Sequence, residues 1–292
     1  MIEVRGLSKK FGNKTALNNV SFSVGKGSIT GIVGRNGAGK TTLLKALVTI
    51  VDPDEGTVMI NDQDIFREPK AKNKVMYVSD SVEALKNYSI QQITSLYRDV
   101  YDQFDEAYFQ ELLERFKMPK VKKIKNYSKG RKALFSLILA FASKPEYVLL
   151  DEPTDGLDVI VKKELMRFLV DEVSKEEMTI IIATHRLDEL ETLADQILVM
   201  KDGTMKETFQ LHSLQEDYQK WQVVYQESMP EALKADVHIL NQTGRVYSLL
   251  FEGEQEEGKA KIEATEPLLY EALPLSLEDI FVAKLGGEQI AE

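Results

Sequence analysis

Three short stretches of this 292-residue chain hold residue types whose spacing can do phosphate chemistry. The first, GRNGAGKTT at 34–42, sets Gly34, Asn36, Gly37, Ala38 and Gly39 ahead of Lys40, Thr41 and Thr42. It fits G-x-x-x-x-G-K-[ST], in which glycines let backbone N–H groups converge on phosphate oxygens. A following helix adds the positive end of its dipole. Lys40 can reach the β- and γ-phosphates of a nucleoside triphosphate, and the Thr41 hydroxyl can ligate Mg²⁺.

The second stretch, YVLLDEP, ends an apolar run on two carboxylates. Asp151 can hold Mg²⁺ directly or through its water. Glu152, one residue on, can point the other way, toward an attacking water. A carboxylate polarising water beside a metal-neutralised γ-phosphate is what hydrolysis requires. Acids after an apolar strand are common in themselves, and it is the glycine loop upstream that gives these two meaning. The third stretch, KNYSKGRKALF at 125–135, sets Ser128 and Gly130 among lysines and an arginine. Alone it fits a solvated basic loop, a nucleic-acid patch or half of a nucleotide site.

The elements that must position these groups follow from periodicity. IEVRGL and NNVSFSVGKGSITGIVG alternate in strand fashion, punctuated by Gly25 and Gly27. The glycine loop leads into a predicted helix, TTLLKALVTIV, stopped by Asp52-Pro53. GTVMINDQDI and KVMYVSD read as a further strand pair, and about 82–143 as mostly helical. YVLLDEP and MTIIIATH are continuous apolar runs, as strands buried on both faces are. Strand–helix alternation with Val/Ile/Leu-rich strands indicates an α/β fold with a parallel sheet. DELETLAD reads as helix, and QILVMKDG with TMKETF as a hairpin. Past about 206, QVVYQES and VHILNQTGRVYSLLFEGE predict antiparallel strands turning near 241–244. An acidic loop, EGEQEEGK, and LPLSLEDIFVAKLGG follow, the latter with Ser276 and Asp279 at capping-box spacing.

Composition bounds the function. At 43% hydrophobic and 29% charged the chain is an ordinary globular protein long enough for a real core. It has no cysteine, which excludes disulfides and thiolate metal sites. A net charge of −10 argues against a nucleic-acid coat, although a local cationic site stays open between Lys117 and Lys132. The start, MIEVRGLSKKFG, lacks a signal-peptide core. The longest apolar run, ALFSLILAFA, is about half of the roughly 20 residues a spanning helix needs, so no membrane span is expected.

Taken in order, these motifs resemble those of an ATP-binding-cassette (ABC) ATPase, the nucleotide-binding subunit of an ABC transporter, over roughly residues 2–205. The resemblance implies a P-loop NTPase (RecA-like) parallel-sheet core with an N-terminal antiparallel β subdomain and a helical subdomain at about 82–143. Residues 1–205 would form the ATPase domain and 206–292 a small α+β accessory domain. Phe11 falls where an aromatic stacks on adenine, a contact tolerant of base identity. DEPTDGLD looks like Walker B plus the D-loop, closed by Asp158, and IIIATH places His185 as the switch histidine at the γ-phosphate. NYSKGR occupies the slot of the LSGGQ signature: Ser128 and Gly130 match, while Tyr127, Lys129 and Arg131 replace Leu, Gly and Gln. Such a signature presents a helix N-terminus to the γ-phosphate held by the opposite subunit. The Q-loop position falls on Asp80, beside Ser79, where the family carries Gln. An Asp can still ligate Mg²⁺ but reaches less far.

The resemblance further implies an ATP- and Mg²⁺-dependent motor of a bacterial exporter of peptide, antibiotic, lipid or drug. Its partners would be a separate transmembrane permease and a second ATPase subunit, identical or related, with no nucleic acid. Its place would be the cytoplasmic face of the membrane. A soluble ABC ATPase for DNA or ribosome work would carry a coiled-coil insertion or two cassettes with a basic surface. A nucleotide-gated regulatory module is favoured by Asp80 and Lys129 and opposed by Glu152 and His185.

Overall fold

The structure, a computed structural model, describes residues 1–79, 85–176, 178–253 and 255–285. Asp80 lies outside them. The chain divides into two compact units, Met1–His185 with Leu198–Glu207, and Arg186–Ile197 with Thr208–Glu292. A single cut at 205/206 therefore misses that Arg186–Ile197 groups with the second unit.

The first unit opens with β1 (Ile2–Phe11), β2 (Lys14–Val24) and β3 (Ile29–Val33), then α1 (Lys40–Leu47). There follow β4 (Glu55–Ile60), β5 (Gln63–Asp64), α2 (Pro69–Lys72) and β6 (Val75–Val78). The helical stretch holds α3 (Ile90–Val100), α4 (Glu106–Arg115) and α5 (Lys129–Ala142). Next come β7 (Tyr147–Asp151), α6 (Val159–Glu176) and β8 (Thr179–Thr184). Alternating apolar positions such as Ile2 and Val4 give β1 one buried face, and it pairs antiparallel with β2 and β4. β3, β7 and β8 are buried at every position and pair in parallel, with β6 parallel to β7 at one edge. Covering a sheet on both faces is what permits such continuous apolar runs.

One hydrophobic cluster joins the two layers: Ile2, Val4, Leu17 and Val58 on one side, Ile32, Leu149 and Ile181 on the other, with Leu43, Leu44 and Leu47 of α1 among them. The helix that carries Lys40 and Thr41 is thus fixed by its apolar face. It ends at Leu47, four residues short of the expected Val51. Thr49 turns left-handed at φ 59°, and the amides of Ile50 and Val51 both fold back to the Lys45 carbonyl. The β-branched run Val-Thr-Ile-Val has little reason to stay helical once its apolar face leaves the core.

GTVMINDQDI and KVMYVSD, neighbours along the chain, go to different sheets, β4 to the antiparallel one and β6 to the parallel one. α3 begins at a full capping box between Ser89 and Gln92, α4 at Asp105, and α5 at Ser128.

The remaining elements are α7 (Leu187–Leu190), β9 (Gln196–Lys201), β10 (Thr204–Gln210), α8 (Leu211–Asp217), β11 (Tyr218–Val224), α9 (Glu231–Lys234), β12 (His238–Thr243), β13 (Val246–Glu252), α10 (Gln255–Glu263), β14 (Leu269–Leu273) and α11 (Leu277–Leu285). β9 and β10 complete a six-stranded sheet in the order β10-β9-β3-β8-β7-β6. In the second unit β12-β13-β11-β14 form a sheet over a core of Trp221, Val223, Leu249, Phe251 and Ile262. Three expectations change here. DELETLAD supports only the single turn α7. The acidic stretch at 252–259 is a loop only at its start, because fully buried Ile262 anchors helix α10 from Gln255. β14 was not anticipated; it adds to β11 through Lys220↔Leu273 to Val224↔Leu269. The Ser276–Asp279 box is made in both directions, the Asp279 amide donating to Ser276 Oγ and the Ser276 amide to Asp279 Oδ2.

Candidate functional site

A cleft of about 560 Å³ opens in the first unit between the 34–42 loop, the β1–β2 hairpin and the ends of β7 and β8. Asn36, Gly37, Gly39, Lys40, Thr41 and Thr42 line it directly. Gly34 and Ala38 do not; they build the loop. The Ala38 amide donates to Arg35 O at 3.0 Å, and its carbonyl accepts from the Gly203 amide. Gly39 has φ 106°, and a Cβ there would lie 2.6 Å from Ala16 O, so only glycine fits where the loop passes into α1.

Lys40 is 6% exposed, and its ammonium donates to the Gly34 carbonyl at 2.5 Å. Burial lowers its pKa below the ordinary lysine range, while the carboxylates of Glu152 and Asp151 pull the other way. Its Nζ lies 3.8 Å from Glu152 Oε1. The Lys40 charge thus sits in a dry place with its nearest carboxylate out of hydrogen-bond range.

Asp151 ends strand β7, one in from the β6 edge of the sheet, and is 4% exposed. Side chains of neighbouring strand residues ordinarily face opposite ways. Here Asp151 and Glu152 both line the cleft. The reason is local: Glu152 adopts φ 47°, turning the chain while its amide still donates to Ala183 O. A left-handed non-glycine residue costs about 1–2 kcal/mol. Glu152 Oε1 lies 3.0 Å from His185 Nδ1, and its buried Oε2 meets no hydrogen-bond partner among the described residues. His185 is half-exposed at the end of β8 and lines the same cleft.

Phe11 lines the opposite wall and is 51% exposed, with the Lys9 ammonium 5.5 Å from its ring centroid. An apolar ring left this open at the tip of a hairpin is available for stacking, which a ring packed in a core is not. Arg35, Lys14, Lys45 and Asp155 also line the cleft and were missed in the sequence. The motif pattern leaves Arg35 unspecified, Lys14 arrives across the Phe11↔Lys14 strand pairing, and Asp155 looks like an ordinary turn residue.

Ser128, Lys129, Gly130 and Arg131 do not line this cleft. Ser128 caps α5, its Oγ accepting from the Arg131 amide. The Arg131 guanidinium turns back to the Lys117 carbonyl at 2.9 Å. Asp158 caps α6, accepting from the amides of Ile160 and Val161. Asp80 falls outside the described residues.

The donors present suit the groups the sequence implies. Thr41 and Asp151 offer hydroxyl and carboxylate oxygens, the hard donors Mg²⁺ takes alongside phosphate oxygens. The unpaired Glu152 oxygen, the buried ammonium and the amide-rich loop suit a triphosphate and an attacking water.

Known proteins carry the same pattern. Residues 17–155 match the family described as ABC transporter. The ABC transporter ATP-binding protein YtrB of Bacillus subtilis is 34% identical over 290 residues, covering 99% of this chain and 99% of its own. The bacitracin transport ATP-binding protein BcrA of Enterococcus faecalis is 30% identical over 100% of this chain and 98% of its own. A solved ATP-binding subunit of an ABC transporter superposes with a TM-score of 0.67 at 24% identity, over 74% of this chain and 92% of that one. Since kinship of this extent lies over a cleft made of the glycine loop, Lys40 and the paired carboxylates, the chain belongs to the ATP-binding subunits of ABC transporters and is an ATPase.

Proposed function

We propose that the chain is the ATP-hydrolysing motor of an ABC exporter, and that its cargo is of the peptide-antibiotic class. Subunits of this family work with transmembrane permeases and dimerise. Among the described residues no helix is long and apolar enough to cross a membrane. Export of a peptide antibiotic is supported by the near full-length match to a protein named for bacitracin transport. The subunit then works against the inner face of the membrane, through its permease.

The observation that carries the catalytic reading is Glu152, which has one oxygen on His185 Nδ1 at 3.0 Å and the other buried without a partner among the described residues. An oxygen in that state can accept a proton from water. Phe11 stacks on the base, and the loop amides with Lys40 hold the phosphates. Thr41 and Asp151 would hold Mg²⁺, which when bound would neutralise phosphate charge. Glu152 takes one proton from the attacking water, whose oxygen bonds to the γ-phosphorus. The β–γ bridging oxygen leaves with ADP and inorganic phosphate is released. His185 keeps the Glu152 carboxylate oriented; with Glu152 ionised, its Nδ1–H is the donor.

Ser128 and Lys129, at the tip of α5, serve the triphosphate of a second subunit. Their absence from this chain's own cleft supports a role in trans. Because Arg131 is engaged with Lys117, Lys129 is the cation left to add charge to that contact.

Glu152→Gln tests the reading. It should bind ATP about as tightly as wild type and lose turnover by about 10²–10³-fold, in the range general-base removal produces. A variant that hydrolyses at the wild-type rate dismisses Glu152 as the base.

A further inference from the structure

We propose that Tyr77 is a positioning residue for the metal-binding carboxylate, fixing the plane of Asp151 through its hydroxyl; this rests on the reading of Asp151 as a Mg²⁺ ligand. The sheet register brings the two together. β6 pairs parallel to β7 with Tyr77 opposite Leu149 and Val78 opposite Leu150. Register partners share a face, as do Leu149 and Asp151 two residues apart. The tyrosine therefore leaves the sheet on the Asp151 side, one two-residue step short of it. That step is about 6.6 Å, which the length of a tyrosine ring bridges. Its O–H donates to Asp151 Oδ2 at 2.9 Å.

Nothing in β7 itself sets that plane, because the terminal torsion of an aspartate is broad rather than staggered. Magnesium, by contrast, demands near-ideal octahedral geometry. A donor to the carboxylate from a neighbouring strand adds a constraint on that plane. The donor is itself held, since the Tyr77 side chain packs against the cluster that also contains Leu149 and Tyr147. The acceptor is buried, and as a carboxylate it would place this bond among the stronger ones. A phenylalanine would fill the same space and make the same apolar contacts, so the hydroxyl is separable from the ring.

The test uses the full-length chain with a non-hydrolysable ATP analogue, Mn²⁺ as the metal probe and its EPR signal as the readout. Nucleotide affinity is measured in parallel in EDTA. Tyr77→Phe should raise the Mn²⁺ concentration for half-saturation by about tenfold, the lower end of what loss of a group supporting a metal ligand produces. Its nucleotide affinity in EDTA should stay at the wild-type value. In an Asp151→Asn background the same substitution should add nothing. If Asp151→Asn shifts the titration and Tyr77→Phe does not, the Tyr77 role is overturned while the Asp151 reading stands. If Asp151→Asn titrates like wild type, the Asp151 reading fails and takes this one with it. An equal loss of Mn²⁺ and metal-free nucleotide affinity in Tyr77→Phe would show general loosening and also overturn the proposal.

Discussion

Burial holds the Lys40 ammonium below the ordinary lysine range, against the pull of Glu152 and Asp151. A lysine whose folded pKa is lowered binds fewer protons folded than unfolded. Stability of the nucleotide-free protein therefore rises with pH between that lowered value and the ordinary value of 10.5, as far as this residue is concerned. At neutral pH the buried charge opposes folding. Lys40→Met should abolish detectable ATP binding and yet raise the nucleotide-free melting temperature by about 2–4 °C, the equivalent of about 1 kcal/mol in a domain of this size. Calorimetry with and without ATP reads both effects, and a lower melting temperature would mean that the Gly34 hydrogen bond outweighs the burial cost. The left-handed Glu152 is a second local cost accepted at the site, and it is what puts two successive carboxylates into one cleft.

At the scale of elements, the tip of α5 meets the turn that follows β7. A Cβ on Gly130 would stand 2.2 Å from the Gly156 carbonyl oxygen, a backbone atom. Helix propensity alone favours alanine over glycine by about 1 kcal/mol. Overpacking against backbone costs about 1–3 kcal/mol or more, so the clash wins. Gly130→Ala should lower stability by about 1–2 kcal/mol in urea melts and separate α5 from the 152–158 turn. A neutral or stabilising effect would show that α5 moves freely past that turn. The match of Gly130 to the signature thus has a structural reason within one subunit, independent of any nucleotide.

At the scale of the whole molecule, two tests reach beyond the cleft. Burial pushes Tyr97 up to about 12, and burial with Glu146 nearby pushes Tyr147 up to about 12. Unfolded tyrosines ionise near 10. Across pH 10–12 the folded state holds protons the unfolded state has released, so stability falls as pH rises through that window. Tyr97→Phe should lessen the alkaline loss, followed by absorbance at 295 nm alongside circular dichroism; an unchanged alkaline midpoint would show that Tyr97 is open to solvent. Second, Glu152→Gln with ATP and Mg²⁺ should elute as a dimer. Adding Ser128→Arg should return it to monomer without loss of the cleft's own ATP affinity. A dimer that survives Ser128→Arg would remove the α5 tip from the interface.

The phosphate loop and the two carboxylates could be read from the chain because each is a contiguous stretch flanked by its own strand or helix, so local spacing carries that chemistry. His185 stood out only through the resemblance to the ABC motif order. The parallel core was readable for a similar reason, since a strand buried on both faces must be apolar throughout. What the tertiary structure decided is whatever depends on contacts between distant segments. The Tyr77–Asp151 bond follows from strand register, Phe11 and Lys14 reach the cleft from the other sheet, and Arg131 turns to a carbonyl fourteen residues away. The same holds for α10 and β14, which are weak patterns by themselves and acquire their form only as Ile262 of α10 packs beside Trp221, Val223 and Phe251 and as β14 pairs with β11. A side chain's type is fixed by the chain, but its partner is chosen by packing, and packing is a long-range property.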